Sequence, residues 1–297
     1  MTAMVELHHG IEPVKAFGGL DFAITQQKIL HAPPLLSYPV IMSEQIPPAA
    51  LITGAARRVG RTIALRLAGQ GFMIGIHYHR SEADARNLAE EITRIGGKSA
   101  LLQADLSNEA ETQALFPAAH KALGPIGILI NNASTFDRDE WFDATRQNWD
   151  HHMDPNLRAP FILTQAFATH LPENAHGLII NLADQRVWSL TPHFMTYTIS
   201  KAALWTLTQT MALALAPRIR VNAIGPGPTL PSPRQTDEQF AKQAASVPLR
   251  HSTTPDEIAD AVMAFLQLRS VTGQMLALDG GQHLQWSPTR SLLPPEE

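Results

Sequence analysis

From Ala49 onward, short apolar runs alternate along the chain with longer segments in which apolar residues recur at helical spacing. The short runs predict buried β-strands over residues 49–53, 72–77, 99–103, 126–131, 178–182, 219–223 and 275–278. Helical periodicity predicts helices over residues 60–70 and 82–95, each followed by glycine. Strands that alternate with helices predict an α/β fold with a doubly wound parallel sheet, whose strand carboxyl ends form a ligand-binding edge.

Two further predicted helices lack a polar face. Residues 156–171 contain one charged residue, Arg158, and residues 198–216 contain only Lys201. A helix that is apolar all round is usually buried on two sides. We therefore expect a homo-oligomer, with a tetramer favoured. The alternative is that a loop of the same chain covers these helices.

Residues 1–48 differ from the rest of the chain because they are rich in proline and show no sustained period. We interpret them as an N-terminal extension outside the fold, either disordered or the result of a misassigned start, with Met42 as a plausible first residue. Residues 49–290 are predicted to form a single domain, followed by a C-terminal tail over residues 291–297.

Composition narrows the function classes. The chain of 297 residues has a net charge of -4, which predicts no nucleic-acid partner, and no apolar run reaches the about 20 residues that span a bilayer. It contains no cysteine, which excludes disulfides and thiolate catalysis and is compatible with a cytoplasmic location. His151 and His152 are adjacent and point about 100° apart on a helix, so we predict no metal site.

The segment 53–60 follows the first predicted strand and opens the first helix. In that context Gly54 permits a tight turn and Gly60 permits close packing of the helix, whose N-terminal N–H groups suit a pyrophosphate. An ordinary strand-to-helix turn is the alternative.

The second strand ends in residues 77–81, with no carboxylate before Glu82. An enzyme that uses NAD usually places Asp or Glu here to bind the ribose 2′-hydroxyl. Arg80 offers a charged fork that suits a 2′-phosphate, and His79 and Ser81 could add hydrogen bonds. The pattern predicts NADPH as the cofactor, unless these are incidental basic residues at a solvated strand end.

Tyr197 and Lys201 lie four residues apart and therefore on one face of a helix. An ammonium beside a phenol stabilises the phenolate form, which makes the phenol a usable acid-base group near neutral pH. The pair predicts proton transfer.

Together these motifs resemble the short-chain dehydrogenase/reductase family, which has a Rossmann fold. The resemblance rests on the segments 53–60, 105–106, 131–133 and 225–227, on Asn156, Tyr197 and Lys201, and on the turn 279–281, in the family's order. It implies a cofactor site made of Gly54, Arg58, Val59, Gly60, His79, Arg80, Ser81, Asp105, Leu106, Asn131, Ala133, Ser134, Lys201 and Gly227. It also implies that Asn156 holds a proton-relay water beside Tyr197 and Lys201.

Three positions depart from the family. Arg58 and Ser134 each stand where a glycine is usual, and Asp184, thirteen residues before Tyr197, stands where a catalytic serine is usual. Asp at that position, Arg58 and the segment 77–81 resemble the pteridine reductase branch, as does Asn-Asn-Ala-Ser followed by Phe136. This resemblance implies a pterin or folate stacked on Phe136 and contacted by Arg58 and Ser134. It further implies hydride transfer to a ring carbon, with Asp184 and Tyr197 supplying the proton.

Two other functions remain open from the sequence. One is a general carbonyl reductase acting on a 3-oxoacyl, sugar or steroid substrate, which Asp184 argues against. The other is a non-catalytic regulator that binds a dinucleotide, which Tyr197 and Lys201 argue against. A degraded, inactive enzyme is a further interpretation of Asp184.

Overall fold

The computed structural model describes residues 46–232 and 234–285, so most of the predicted extension and the tail lie outside the described residues. Within them, seven parallel strands form one sheet in the order β3-β2-β1-β4-β5-β6-β7. The strands are β1 (Ala49–Ile52), β2 (Met73–Tyr78), β3 (Ser99–Gln103), β4 (Ile128–Asn131), β5 (Gly177–Leu182), β6 (Ile219–Pro226) and β7 (Met275–Leu278). The predicted doubly wound parallel sheet is confirmed.

Helices cover both faces of this sheet. They are α1 (Arg58–Gly69), α2 (Glu82–Arg94), α3 (Glu109–Leu123), α4 (Arg146–Met153), α5 (Ala159–His170), α6 (Met195–Leu215), α7 (Asp237–Ser246) and α8 (Pro255–Gln267). Successive residues of a strand point to opposite faces. In β1, Ala50 and Ile52 accordingly join the core beneath α1 and α8, whereas Ala49 and Leu51 join the core beneath α3 and α5.

The strand order reverses between β1 and β4, which places a crevice at the carboxyl ends of these two strands. The loops that follow them lie close together, because a Cβ added to Gly54 would lie 3.1 Å from the Cα of Ala133. The topology therefore positions the segments 53–60 and 131–134 side by side.

The structure refines two predicted helix boundaries. Residues Asp154–Arg158 form one wide π-helical turn before α5, in place of the regular helix predicted from residue 156. Pro155 lies in this turn and lacks a backbone donor, which disfavours the normal hydrogen-bond pattern. Helix α6 begins at Met195, earlier than predicted, because Asp139 accepts hydrogen bonds from the N–H groups of Met195 and Thr196.

The segment just before β1 already contacts the domain. Ile46 packs against the core, and the carbonyl of Pro48 accepts a hydrogen bond of 2.9 Å from the Met73 N–H. Across residues 46–232 and 234–285, no helix combines the length and apolar character needed to cross a membrane.

Candidate active site

The loop between β1 and α1 is shaped by two glycines. Gly54 has φ +63°, and a Cβ on Gly60 would lie 2.4 Å from the carbonyl oxygen of Gly54. A side chain at residue 60 would therefore push this loop apart. Arg58 adopts φ 52°, a conformation that glycine favours and that costs an arginine about 1–2 kcal/mol. It occupies the position at which the family pattern has glycine.

His77 anchors the same loop from β2. Its Nδ1 accepts a hydrogen bond of 3.0 Å from the Gly54 N–H, so its Nε2, 3.1 Å from the Ala104 carbonyl, carries the proton. The ring is 2% exposed, and burial lowers the pKa of His77 to about 4. Its position at the end of the second strand was visible in the sequence, but its partners were not.

A cavity of about 660 Å³, the phosphate-loop cavity, opens along this edge. It brings together most of the predicted cofactor residues: Gly54, Arg58, Val59, Gly60, His79, Arg80, Ser81, Asp105, Leu106, Ala133 and Ser134. Arg57, Arg58 and Arg80 line it, and α1 directs its N-terminus there. This donor set fits an anionic dinucleotide with a 2′-phosphate.

Asn131 does not line that cavity. Its side chain is 3% exposed and donates to Asn181 Oδ1 at 2.8 Å, and Asn181 in turn donates to Thr208 Oγ1 at 2.9 Å. This chain joins β4, β5 and α6. The neighbouring Asn132 lines the cavity instead and donates to the Thr53 carbonyl at 2.8 Å. Asn132 was not among the predicted site residues.

A second cavity of about 550 Å³, the catalytic cavity, contains the predicted acid-base residues. The Tyr197 hydroxyl donates a hydrogen bond of 2.8 Å to Asp184 Oδ2, and Asp184 Oδ1 accepts one of 2.7 Å from the Arg186 N–H. Both side chains line the cavity, as do Arg58, Ser134, Phe136 and Gly227. The cavity therefore holds every residue predicted to bind substrate.

Lys201 lies beneath this pair, one turn along α6 from Tyr197. Its ammonium donates to the Leu182 carbonyl at 2.7 Å and lies 5.8 Å from the centre of the Tyr197 ring. Burial lowers the pKa of Lys201 to about 8, and the nearby Asp184 opposes that shift. The side chain consequently remains mostly charged at neutral pH and stabilises negative charge on the phenol oxygen.

Phe136 belongs to an aromatic cluster, of which Phe136 and Tyr197 were predicted site residues and Phe194 was not. Its ring stacks on Phe194 at 4.7 Å and 9°, and meets the Tyr197 ring edge-on at 4.7 Å. Arg234 donates to the carbonyl of Phe136 and to Asp137, each at 2.8 Å. The segment after β6 was too irregular to interpret, so Arg234 was missed. Nothing in the local pattern marks Phe194 as its neighbour.

Asn156 faces the same loop from the wide turn before α5. Its Oδ1 accepts from the Thr135 N–H at 2.9 Å, and its Nδ2 donates to the Thr135 carbonyl at 3.0 Å and to Ser200 at 3.1 Å. It therefore holds the backbone next to Phe136. The water-holding role implied for it by resemblance stays a prediction.

The fold and this geometry define an oxidoreductase with a nucleotide-binding Rossmann domain and a Tyr–Lys pair. A family model described as enoyl-(acyl carrier protein) reductase matches residues 54–283, and the chain belongs to the short-chain dehydrogenase/reductase family. A Staphylococcus aureus relative, 3-oxoacyl-[acyl-carrier-protein] reductase, is 31% identical over 242 residues, which are 80% of this chain and 98% of the relative.

Two solved structures are more similar. FolM alternative dihydrofolate reductase 1 from Brucella suis, in complex with NADP, is 46% identical with a TM-score of 0.79, covering 81% of this chain and 97% of that one. The protein of the same description from Brucella canis, also complexed with NADP, is 44% identical with a TM-score of 0.77, covering 82% of this chain and 98% of that one.

The environment of His77 makes a prediction about stability. Because its pKa falls from 6.5 to about 4 on folding, its contribution is complete above pH 6.5 and is lost as the pH falls towards 4. Between pH 7 and pH 5 this group alone should remove about 2 kcal/mol of unfolding free energy. The test is urea titration of the wild type and of His77→Gln at both pH values. The variant should be less stable than the wild type at pH 7. Between pH 7 and pH 5, however, its unfolding free energy should fall by about 2 kcal/mol less than that of the wild type. Equal losses would show that folding does not lower the pKa of His77.

Proposed function

We propose that this protein is an NADPH-dependent reductase of a pterin or folate, converting a dihydropterin to a tetrahydropterin. The observation that carries the proposal is the hydrogen bond from Tyr197 to Asp184 in a cavity walled by Phe136. A pterin is a flat ring with N–H donors, and the carboxylate of Asp184 can accept hydrogen bonds from them. The two Brucella structures, described as alternative dihydrofolate reductases, support this substrate class.

The phosphate-loop cavity supports NADPH as the cofactor. Arg80 and Ser81 lie at its β2 edge, and His79 approaches Asp105 with its Nε2 3.5 Å from the carboxylate. A 2′-phosphate can accept from Arg80 and Ser81, whereas a 2′-hydroxyl would find no carboxylate at the end of β2. The NADP bound in both Brucella structures agrees with this assignment.

The chemistry divides between the cofactor and the side chains of this chain. When bound, NADPH supplies the hydride that is added to the carbon of a ring C=N bond. Tyr197 holds a proton at its hydroxyl oxygen for the ring nitrogen of that bond, and Lys201 stabilises the phenolate that remains. Asp184 accepts hydrogen bonds from N–H donors of the pterin and orients the Tyr197 hydroxyl.

A carbonyl reductase is the second candidate, and the Staphylococcus relative is the observation that favours it. A carbonyl oxygen needs a donor as negative charge develops on it, which the usual serine provides. An ionised aspartate offers only acceptors and repels that charge. Asp184 therefore separates the two candidates. A regulator without turnover would not need Tyr197 and Lys201 side by side at a cavity.

We further propose that α5 and α6 line a subunit interface of a homo-oligomer, with a tetramer favoured, in the cytoplasm. On α6, Leu213 is 83% exposed and Ile199 is 37% exposed. Leucine and isoleucine exposed on a helix with so few charges are typical of an interface between subunits.

The cofactor proposal predicts a reversal of preference in Arg80→Asp. A carboxylate would repel the 2′-phosphate, and loss of a charge-assisted hydrogen bond costs about 1.5–3 kcal/mol, or about 10- to 100-fold in affinity. Kd values for NADPH and NADH from fluorescence titration should therefore shift towards NADH. Arg94→Asp, at an exposed site outside the cavity, is the control. An equal loss for both cofactors would contradict the proposal.

The substrate proposal predicts that Asp184→Ser weakens turnover of dihydrobiopterin and dihydrofolate and raises turnover of a 3-oxoacyl thioester. Tyr197→Phe should lower every activity by about 10²–10⁴-fold, because it removes a general acid. The measurement is kcat/KM for NADPH oxidation with each substrate. Asp184→Asn is the matched control, since it keeps the shape and removes the charge. A wild-type enzyme that reduces thioesters or ketones well and leaves every pterin and folate unreacted would overturn the assignment.

A further inference from the structure

His152 lies on α4 beside the active site and takes no part in the chemistry described above. It is fully buried, at 0% exposure, whereas its neighbour His151 is exposed. Both ring nitrogens of His152 have partners. Nε2 lies 3.0 Å from the Asp137 N–H, and Nδ1 lies 2.7 Å from Thr196 Oγ1.

These partners determine where the proton of the ring is. A backbone N–H can only donate, so Nε2 is the acceptor and carries no proton. Nδ1 must then carry the proton and donate it to Thr196, whose hydroxyl donates to Asp139 Oδ2 at 2.5 Å. The result is a directed chain from His152 through Thr196 to Asp139, in which His152 is neutral and has one tautomer.

The chain joins two segments that carry the active site. Asp139, 4% exposed, also accepts from the Thr196 N–H at 3.2 Å and so holds the first turn of α6, where Tyr197 is the next residue. At the other end of the ring, the Asp137 N–H belongs to the residue that follows Phe136 and lines the catalytic cavity. The His152 ring lies 6.0 Å from the Tyr197 ring.

We propose that His152 is a positioning residue, which fixes the loop carrying Phe136 against the start of α6 and thereby sets where a substrate lies relative to the Tyr197 hydroxyl. An apolar residue could fill the same space, but it would leave the partly buried Asp137 N–H without its protein acceptor. The loop would then move to find another acceptor. The proposal needs Tyr197 to be the proton donor and applies equally to pterin and carbonyl substrates.

Burial favours the neutral ring of His152, whereas two charged neighbours, Asp139 and Asp137, favour its charged form. Asp139 lies beyond Thr196 on the Nδ1 side, and Asp137 and His151 lie on the Nε2 side, where His151 is 2.9 Å from Asp137 Oδ2. Burial lowers the pKa of His152, and Asp139 opposes that shift. A second proton would place two donors, Nε2–H and the Asp137 N–H, face to face.

Three substitutions test separately the two hydrogen bonds of the His152 ring, one with the Asp137 N–H and one with Thr196. In His152→Gln the amide oxygen can reach the place of Nε2 and accept from the Asp137 N–H. In His152→Asn the amide nitrogen takes the place of Nδ1 and donates to Thr196, but the Asp137 N–H loses its acceptor. His152→Leu removes both links. We expect Gln to retain kcat within a few-fold of wild type, and Asn and Leu to lose about 10- to 100-fold, the scale of an ångström of misplacement.

The kinetic measurement is kcat and KM with dihydrobiopterin, and with a 3-oxoacyl thioester if the pterin is not reduced, so that failure of the proposed function leaves this test intact. The KM for NADPH should stay at the wild-type value, because the phosphate-loop cavity does not include residue 152. His170→Leu, which removes a half-buried imidazole on α5, is the control and should lower stability without changing kcat.

A second measurement needs no substrate. ¹⁵N NMR of the imidazole nitrogens in the full-length protein at pH 7, assigned by loss of the signal in His152→Gln, should show a protonated Nδ1 and an unprotonated Nε2. The opposite tautomer would overturn the proposal. Wild-type kcat in His152→Asn and His152→Leu would also overturn it. So would a loss of kcat in all three variants that is proportional to the decrease in their melting temperatures.

Discussion

The hydrogen bond from the Tyr197 hydroxyl to Asp184 joins the end of β5 to the first turn of α6. Each partner is held independently. Asp184 accepts from the Arg186 N–H, and α6 begins where Asp139 meets Thr196. A hydroxyl hydrogen bond to a carboxylate is short and strong when that carboxylate is ionised. The catalytic cavity, the aromatic wall and the buried lysine are all arranged around this contact.

Electrostatics explains why the contact suits proton transfer. The Lys201 ammonium is 2% exposed, and burial lowers its pKa to about 8. In so buried a place its charge acts on Tyr197 more strongly than it would in water. Asp184 favours the charged form of Lys201, so the three groups depend on one another. Replacing the serine usual in this family by aspartate therefore changes both the hydrogen bonding and the charge of the site.

The fold was predictable because buried parallel strands are continuous apolar runs, and all seven predicted strands are present within a few residues of their predicted ends. Local motifs also predicted which residues meet at the phosphate loop. Gly54 and Gly60 are required there because a side chain at either position would strain or block the turn, and glycines at this spacing are visible in the sequence. What remained hidden depends on contacts between distant segments. The side chain of Asn131 turns to Asn181 and away from the cavity. His77 and His152 acquire their partners only when their strand or helix packs against another segment.

The residues predicted to bind the substrate show the same difference between local motifs and contacts of distant segments. Asp184 and Phe136 were visible as departures from the family pattern, and the structure places both in one cavity with Tyr197. Two neighbours of Phe136 are distant from it in the sequence. Phe194 stacks on its ring, and Arg234, in the loop after β6, donates a hydrogen bond to its carbonyl. Contacts between distant residues of this kind determine the shape of a pocket, and no local sequence pattern predicts them.

The most direct test of this account follows the hydride itself. The protein is incubated with dihydrobiopterin and NADPH that carries deuterium at the transferable position, and the product is examined by mass spectrometry and NMR. The account predicts a tetrahydropterin with one deuterium on a ring carbon and a new proton on the adjacent ring nitrogen. Unlabelled, unreduced pterin, together with deuterium recovered in the alcohol formed from a 3-oxoacyl thioester under the same conditions, would contradict it.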